Sequence, residues 1–225
     1  AVVADLHLGS PFNTIEPLDK IIAQVNSENV DLVLITGDLV IQDIVGGHFI
    51  PPEATAERLK NLKAKDGVFA VLGNHDWWLD SERVRKSLNS NGISTLDERS
   101  LIIKNKFHLL GIGDYLEGQP NVVKTMESIS DDLPIIAFTH NPDVFPTVPQ
   151  KVPLTIAGHT HGGQVFLPLL GRLVVPSDFG SRFAIGHIVE HGHHLFVSPG
   201  VGTSILPIRF LVPPEVSIIE LKGKI

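Results

Sequence analysis

Residues 31–38 read Asp-Leu-Val-Leu-Ile-Thr-Gly-Asp, an apolar and partly β-branched run that ends in a glycine and a carboxylate. Such a run predicts a buried strand, and Gly37 allows the chain to turn where the strand ends. Upstream, residues 17–28 place apolar side chains at helical spacing, and residues 1–4 form another apolar run. These segments predict a strand–helix–strand unit with Asp38 just beyond its second strand.

The alternation of helix and strand continues along the chain. Residues 52–64 predict a helix with proline near its first turn, residues 67–72 a strand, and residues 81–89 another helix. Later segments are shorter and richer in strands: 101–103, 107–112, 133–138, 152–157 and 215–221, with a hairpin at 185–189 and 195–197 and a helix near 121–129. This order favours two packed sheets with helices outside, in a single domain over residues 1–225.

The composition excludes several classes of function. With 25 acidic and 18 basic residues the net charge is −7, which argues against a general nucleic-acid binder. The absence of cysteine rules out disulfides, thiolate metal sites and a cysteine nucleophile, so metal ligands must be His, Asp, Asn or Glu. No apolar run reaches the roughly 20 residues that span a bilayer.

The chain begins inside an apparent strand, at residues 1–4. We therefore expect that residues upstream have been removed or omitted, which leaves the question of an anchor or targeting segment open. Localisation stays open between cytoplasmic and membrane-associated or exported.

Five short polar motifs follow predicted strands. They are Asp5-Leu6-His7, Gly37-Asp38, Gly73-Asn74-His75-Asp76, His140-Asn141 and Gly158-His159-Thr160-His161. Open α/β sheets bind ligands at the carboxyl ends of their strands, so we expect the motifs to meet at one site. Residues two apart in extended backbone share a face, which would align Asp5 with His7. The same spacing would let His159 and His161 each reach a different metal ion.

Each motif alone has an ordinary structural explanation. Asp38 could be a turn or N-cap aspartate, and His140 a hydrogen-bonded loop histidine. Five such motifs at five apparent strand ends instead predict a site that holds two metal ions and hydrolyses a phosphate ester.

In order and content these motifs match D-x-H, G-D, G-N-H-[DE], H and G-H-x-H, so residues 5–161 resemble the calcineurin-like metallophosphoesterase superfamily. The resemblance implies an α/β fold, a four-layer α/β/β/α sandwich of two mixed sheets flanked by helices. Residues 158–164 and 198–204, with Pro168, Pro207-Ile208-Arg209 and Pro214-Glu215, resemble a bacterial branch of YkuE- and YaeI-type phosphoesterases. Near that branch are enzymes that cleave the pyrophosphate of a lipid-linked nucleotide.

The resemblance also implies a role for each motif residue. One metal ion would be bound by Asp5, His7, Asp38 and His161, and a second by Asp38, Asn74, His140 and His159. His75 would protonate or stabilise the leaving oxygen, and Asp76 is the candidate to orient its ring. Nitrogen and oxygen ligands without sulfur suit manganese, which we favour, or iron or zinc.

We therefore expect a dinuclear metal-dependent phosphoesterase that uses metal-activated hydroxide on a phosphomonoester or, preferably, a phosphodiester. The substrate would be a small molecule or a lipid- or nucleotide-linked ester. The alternative is a non-catalytic scaffold that binds metal or protein, but His75 beside a complete ligand set favours the enzyme. A nuclease is disfavoured by the acidic balance of the chain.

Three features remain open in the sequence, as does the oligomeric state. Trp77-Trp78 is either a wall of the substrate site or part of the core. Residues 49–50 and 205–212 are either an apolar lip for an acyl chain or a membrane surface, or buried packing, which we expect. His191, His193 and His194 are expected to be solvated in a hairpin turn instead of forming a third metal site.

Overall fold

The computed structural model describes residues 1–42 and 44–222. In chain order its elements are β1 (Val2–Val3), α1 (Ile15–Ser27), β2 (Val33–Ile35), α2 (Pro52–Leu59), β3 (Val68–Ala70), α3 (Asn74–Ser90), β4 (Ser94–Thr95), β5 (Arg99–Ile103), β6 (Phe107–Gly111), α4 (Val122–Met126), β7 (Ile135–Phe138), β8 (Leu154–Ala157), β9 (Phe166–Leu167), β10 (Gly171–Arg172), β11 (Gly186–Glu190) and β12 (His193–Val197). Short 3-10 helices lie at Pro142–Thr147, His161–Gly163 and Gly180–Phe183. Within these described ranges, no helix has the length and apolar character needed to cross a membrane.

The strands form two large sheets and one small hairpin. The first sheet is parallel, in the order β1-β2-β3-β4. The second has the order β11-β12-β8-β7-β6-β5, with parallel pairs in its middle and antiparallel pairs at both edges. The four strands of the first sheet are parallel because a helix follows each of the first three and returns the chain to the same edge. An antiparallel bridge between Val2 of β1 and Ser217 adds the antiparallel pairing of this sheet.

Apolar side chains separate the structure into four layers. Phe69 from the first sheet packs with Leu109 and Phe138 from the second, which places a core between the sheets. The other face of the first sheet is covered by α1, α2 and α3, through side chains such as Leu18 and Leu59. Helix α4 and the 3-10 helix at Pro142–Thr147 cover the second sheet. The predicted α/β/β/α sandwich is confirmed.

The helix expected at 81–89 is the second part of α3, because extended backbone at Asp80 (φ 176°) separates it from residues 74–79. Oδ1 of Asp80 accepts the backbone N–H of Arg83 at 3.0 Å, as an N-cap does. The helical residues before Asp80 are not part of the prediction, and other predicted boundaries are wrong. The strand expected at 215–221 is reduced to a single bridge between Ser217 and Val2. Strands β4, β9 and β10 have two residues each, which is too short for a periodic pattern to reveal.

Candidate metal centre

The five predicted motifs lie together at one edge of the sandwich. Asp5, Asp38 and Asn74 follow β1, β2 and β3 of the first sheet. His140 and His159 follow β7 and β8 of the second sheet. Parallel strands end at a common edge, so the two sheets bring their polar residues into one site.

Asp5, His7 and His161 form a first group of candidate ligands. Their ligand atoms lie within 4.8 Å of one another, and all three side chains are buried. The Nε2 atoms of His7 and His161 are 3.0 Å apart. The backbone N–H of His159 donates to both carboxylate oxygens of Asp5, at 3.0 and 3.1 Å, and so fixes the orientation of that carboxylate.

Asp38, His140 and His159 form a second group. The Nε2 atom of His140 lies 3.0 Å from Nδ1 of His159 and 3.1 Å from Oδ1 of Asn74, which places Asn74 in this group. Oδ2 of Asp38 lies 3.4 Å from Nε2 of His140 and 3.4 Å from Nε2 of His7. This carboxylate oxygen is therefore positioned between the two groups.

The polar atoms around His140 fit a bound cation. Its Nδ1 lies 2.7 Å from the carbonyl oxygen of Thr36, and because a carbonyl only accepts, this nitrogen carries a hydrogen. In a neutral ring Nε2 then has only a lone pair, yet it faces the oxygens of Asn74 and Asp38. Burial lowers the pKa of His140, but Asp38 beside the ring outweighs it and raises that pKa to about 10. A divalent cation would replace the proton that the ring otherwise holds.

The other buried groups are also suited to a cation. Burial lowers the pKa of His159 and of His161 to about 3 each, so both rings are neutral, the form that binds metals. Burial raises the pKa of Asp5 to about 7, an effect to which the nearby Asp38 carboxylate adds. Carboxylates withdrawn from water together with neutral imidazoles provide strong stabilisation for a positive ion.

Most of the candidate ligands have a left-handed backbone conformation. The residues are Asp5 (φ 53°), His7 (φ 43°), Asp38 (φ 53°), His159 (φ 71°) and His161 (φ 51°). Non-glycine residues seldom adopt it, and such residues concentrate at functional sites. The expectation that extended backbone aligns Asp5 with His7 is therefore wrong in its reason, because β1 ends at Val3. The side chains converge because the loops turn sharply.

Glycines at two of the motifs make room for the carboxylates. A Cβ on Gly73 would lie 2.7 Å from the backbone nitrogen of Asp38. A Cβ on Gly158 would lie 2.8 Å from Oδ2 of Asp5. Both distances are too short for a real side chain, so these positions require glycine.

His75 lies beside the candidate ligands and borders the cavity described below. Its ring is 4.8 Å from that of His7 and 4.7 Å from that of Trp78, both edge to face, and its backbone N–H donates to Oδ1 of Asp38 at 2.9 Å. Burial lowers the pKa of His75. The ring Nδ1 has no hydrogen-bond partner among the described residues. Neighbouring rings, not hydrogen bonds, therefore hold this imidazole.

Asp76 has a different place from the one expected. Its carboxylate accepts backbone N–H groups from Asp38 (2.8 Å), Leu39 (3.0 Å) and Gly73 (3.0 Å). It therefore does not orient the ring of His75. Because α3 begins at Asn74, Asp76 lies in the first turn and reaches back toward the start of the helix, where it holds the loop that carries Asp38.

Arg209 supports the site, although the motifs assign it no role. Its guanidinium donates to the carbonyl oxygens of Pro199 (2.7 Å), Gly200 (3.2 Å) and Gly202 (2.6 Å). Gly200 packs so closely on Asp5 that a Cβ there would lie 2.7 Å from the carboxylate. Arg209 thereby fastens the loop that encloses the first group. In the sequence, Arg209 appears only within the Pro207-Ile208-Arg209 segment of the branch resemblance, which assigns it no contact.

A cavity of about 890 Å³ opens beside the candidate ligands. Its polar end contains Asp38, Asn74, His75, His159 and His161. Its walls are largely apolar and include Trp78 and Leu116. Trp78 is 55% exposed, whereas Trp77 packs against the core under the first sheet, so each interpretation of the pair holds for one tryptophan.

The expectation of buried packing for residues 205–212 is wrong. Ile205, Leu206 and Leu211 are exposed, and in this stretch Val212 is buried. The side-chain amide of Gln164 donates to the carbonyl oxygen of Leu206 at 3.1 Å, so polar contacts hold the segment at the surface. Near the first motif, Phe49 is exposed while Ile50 packs on the core.

The expected hairpin is present, but its turn holds only His191 of the three histidines, whereas His193 and His194 lie on β12. His191 and His194 are exposed, and His193 is half-buried. Nδ1 of His194 lies 2.7 Å from Nε2 of His187 on the facing strand.

In comparisons of the sequence with known proteins, the matches are phosphoesterases. The sequence profile described as calcineurin-like phosphoesterase matches residues 1–165. The "uncharacterized metallophosphoesterase YkuE" of Bacillus subtilis is 33% identical over 98% of this chain and 77% of that protein. Phosphodiesterase YaeI of Escherichia coli is 31% identical over 97% of this chain and 80% of that protein.

Other relatives are longer, and solved structures show the fold. The chain spans 59% of the length of a Helicobacter pylori metallophosphoesterase to which it is 29% identical. The crystal structure of TT1561 of Thermus thermophilus superposes with a TM-score of 0.53 at 12% identity, covering 88% of this chain and 87% of that one. At this identity the likeness concerns the fold alone.

Proposed function

Because the chain belongs to the calcineurin-like phosphoesterase family and is a metal-dependent phosphoester hydrolase, we propose that it hydrolyses phosphodiesters with two divalent metal ions. The observation that carries the proposal is the position of Asp38, whose Oδ2 lies 3.4 Å from His7 Nε2 in one group and from His140 Nε2 in the other. A single carboxylate oxygen so placed suits a bridging ligand.

The proposed ligand sets follow the two groups. The first ion would be held by Asp5, His7, Asp38 and His161, and the second by Asp38, Asn74, His140 and His159. The clustering of these side chains supports both sets. The donors are nitrogen and oxygen, which suits manganese, iron or zinc, and we favour manganese.

In such a site, two bound ions would supply positive charge for the phosphate oxygens and would lower the pKa of a bound water. The two ions would be positioned by the side chains of Asp5, Asp38 and the four histidine ligands. Because these side chains are buried, their electrostatic interactions with an ion are stronger than they would be in water. His75 borders the cavity without being a ligand in either proposed set, so its ring can donate a proton to the leaving oxygen.

A diester fits the cavity better than a monoester. A diester carries a second organic group, and the apolar walls around Trp78 and Leu116 offer a surface for that group. A small-molecule ester is the expected substrate, with lipid-linked and nucleotide-linked esters as the two forms proposed. The similarity to YaeI, which is named a phosphodiesterase, supports a diester substrate for this chain.

The test is hydrolysis of bis-p-nitrophenyl phosphate and p-nitrophenyl phosphate, with Mn, Mg, Zn or Fe added to metal-free protein. We expect release of nitrophenolate from the diester with manganese, and little from the monoester. Asp38→Asn serves as the matched variant and should lose the activity. Hydrolysis of neither compound with any of the metals would favour the non-catalytic scaffold.

A further inference from the structure

Two surface segments beside the cavity expose large apolar side chains. We call residues 167–174 and 205–211 the apolar rim. Nine exposed large apolar residues lie on it, among them Leu169, which is fully exposed, and Leu170 and Ile205, which are 69% and 74% exposed. Residues from both segments, including Leu173 and Leu206, line the cavity that holds the candidate ligands.

The two segments are held together as one surface. Val165 and Phe210 form a β-bridge, and the backbone N–H of Phe166 donates to the carbonyl oxygen of Phe210 at 2.9 Å. The amide of Gln164 donates to the carbonyl of Leu206, and its oxygen accepts the backbone N–H of Ser204 at 2.6 Å. The apolar rim is therefore built into the fold and forms one side of the cavity.

The backbone of the apolar rim has unusual conformations. Leu169 (φ 74°), Ile205 (φ 56°) and Leu211 (φ 55°) lie in the left-handed region. Large and β-branched residues rarely adopt it, because it costs free energy. A solvent-exposed turn would be more stable with glycine or asparagine there, so these apolar side chains have a use at the surface.

The charge of this region is equally distinctive. Residues 161–177 and 191–214 contain no Asp or Glu, in a chain with 25 acidic residues. The guanidinium of Arg172 lies 5.0 Å from the ring of Phe166 and donates to the carbonyl oxygen of Gly162 at 2.8 Å. That of Arg209 is engaged by carbonyl oxygens. The apolar rim thus carries no carboxylate, and both of its arginines make hydrogen bonds with backbone carbonyl oxygens.

We propose that the apolar rim inserts into a lipid bilayer, so that an amphiphilic phosphodiester enters the cavity from the membrane. The substrate part of this proposal rests on the proposed function, whereas the bilayer contact does not. A bilayer suits the apolar rim better than a second copy of the chain does, because a copy seated there would cover the entrance of the cavity. Insertion by apolar burial alone is indifferent to salt.

The experiment measures sedimentation of the 225-residue chain with phosphatidylcholine vesicles, in 0.15 M and 0.5 M NaCl. We expect binding at both salt concentrations, and no gain when anionic phosphatidylglycerol is added. Leu169→Ser combined with Leu170→Ser should weaken binding by roughly tenfold per residue. Ile102→Ser combined with Val123→Ser, which changes exposed apolar residues elsewhere, should leave binding unchanged.

Several results would overturn the proposal. They are absence of wild-type binding to vesicles, equal binding by the variant with both leucines replaced, and loss of binding in 0.5 M NaCl. A dimer in light scattering that this variant converts to a monomer, without vesicle binding, would identify the apolar rim as an interface between copies. Vesicle binding by a protein that hydrolyses no ester would leave the membrane contact standing and remove the proposed function.

Discussion

Asp38 connects the parts of the candidate site through one side chain. Its Oδ1 accepts the backbone N–H of His75 at 2.9 Å, while Oδ2 lies near histidines of both groups. Its own backbone N–H donates to Asp76 at 2.8 Å. The left-handed backbone of Asp38 is the conformation that lets a residue just after a strand place its carboxylate between two sheets. One residue thus fixes the separation of the two ligand groups.

His75→Gln tests whether this histidine acts on the substrate or on a metal. We expect metal content to stay the same and turnover to fall by about 10²–10⁴-fold, because a positioned general acid contributes roughly that much. The loss should be larger for a diester with a poorly leaving alcohol than for bis-p-nitrophenyl phosphate, whose leaving group needs little protonation. Elemental analysis and steady-state kinetics measure both quantities.

His187→Gln is the control for that substitution. His187 is exposed on β11 and belongs to neither group of candidate ligands. Its replacement should change neither the metal content nor the turnover. Near-normal turnover in His75→Gln would remove His75 from the mechanism, and loss of a metal ion would make it a ligand.

Among the elements, helix α3 shows where sequence patterns succeed and fail. The strand before it was predictable, because residues 67–72 form an apolar run bounded by glycines. Its start at Asn74 was not, because Trp77, Trp78 and Leu79 are three apolar residues in succession and show no helical period. The helix begins there because the carboxylate of Asp76 accepts the backbone N–H of Gly73, the residue just before the helix.

The candidate site divides in the same way. The identity of the residues in the candidate site was predictable, because each motif follows an apolar run and the ends of the strands meet at one edge. How they converge was not, since the left-handed backbone of Asp5 and His159 depends on tertiary contacts such as the hydrogen bond between them. Exposure of Leu206 was also hidden, because an apolar stretch at the surface has the same composition as one in the core.

Arg209→Lys tests the loop that closes the first ligand group. Lysine has no planar fork, so it cannot serve the carbonyl oxygens of Pro199, Gly200 and Gly202 together. We expect a loss of about 2 kcal/mol in the free energy of unfolding and weaker metal binding through Asp5. Urea denaturation with a chelator present measures the first effect, and metal titration the second.

The control is Arg58→Lys, which alters an ion pair with Asp19 in which both side chains are exposed. Exposed pairs contribute little, so its cost should stay below about 1 kcal/mol. Equal losses in the two variants would contradict the special role of Arg209.

At the scale of the whole molecule, the candidate site and the apolar core both connect the same two layers, the first and the second sheet. Leu109 and Phe138 of the second sheet pack against Phe69 of the first, and at the strand ends the polar residues of both sheets meet. The apolar core fixes how the two sheets lie on each other, and the ligands depend on that arrangement. Metal binding should therefore stabilise the entire sandwich and not only a loop.

Removal of metal by a chelator tests this coupling. At a free metal concentration of about 100 times Kd, binding stabilises the folded state by about 2.7 kcal/mol. For a chain of this length the chelated protein should melt about 5–10 °C lower, in scanning calorimetry, and added manganese should restore the transition. Asp38→Asn should show a much smaller response to the chelator. A melting temperature that chelation leaves unchanged in the wild type would refute the coupling.

The ligands are also divided along the chain. Asp5, His7, Asp38 and Asn74 precede β4, whereas His140, His159 and His161 come after β6. A genetic crossover between residues 95 and 99 would therefore join four ligands from one parent to three from another. Such a hybrid could keep every motif intact and still be inactive, because neither parent's half encodes the angle at which the other half must lie. A functional hybrid would therefore have to take both sheets from the same parent.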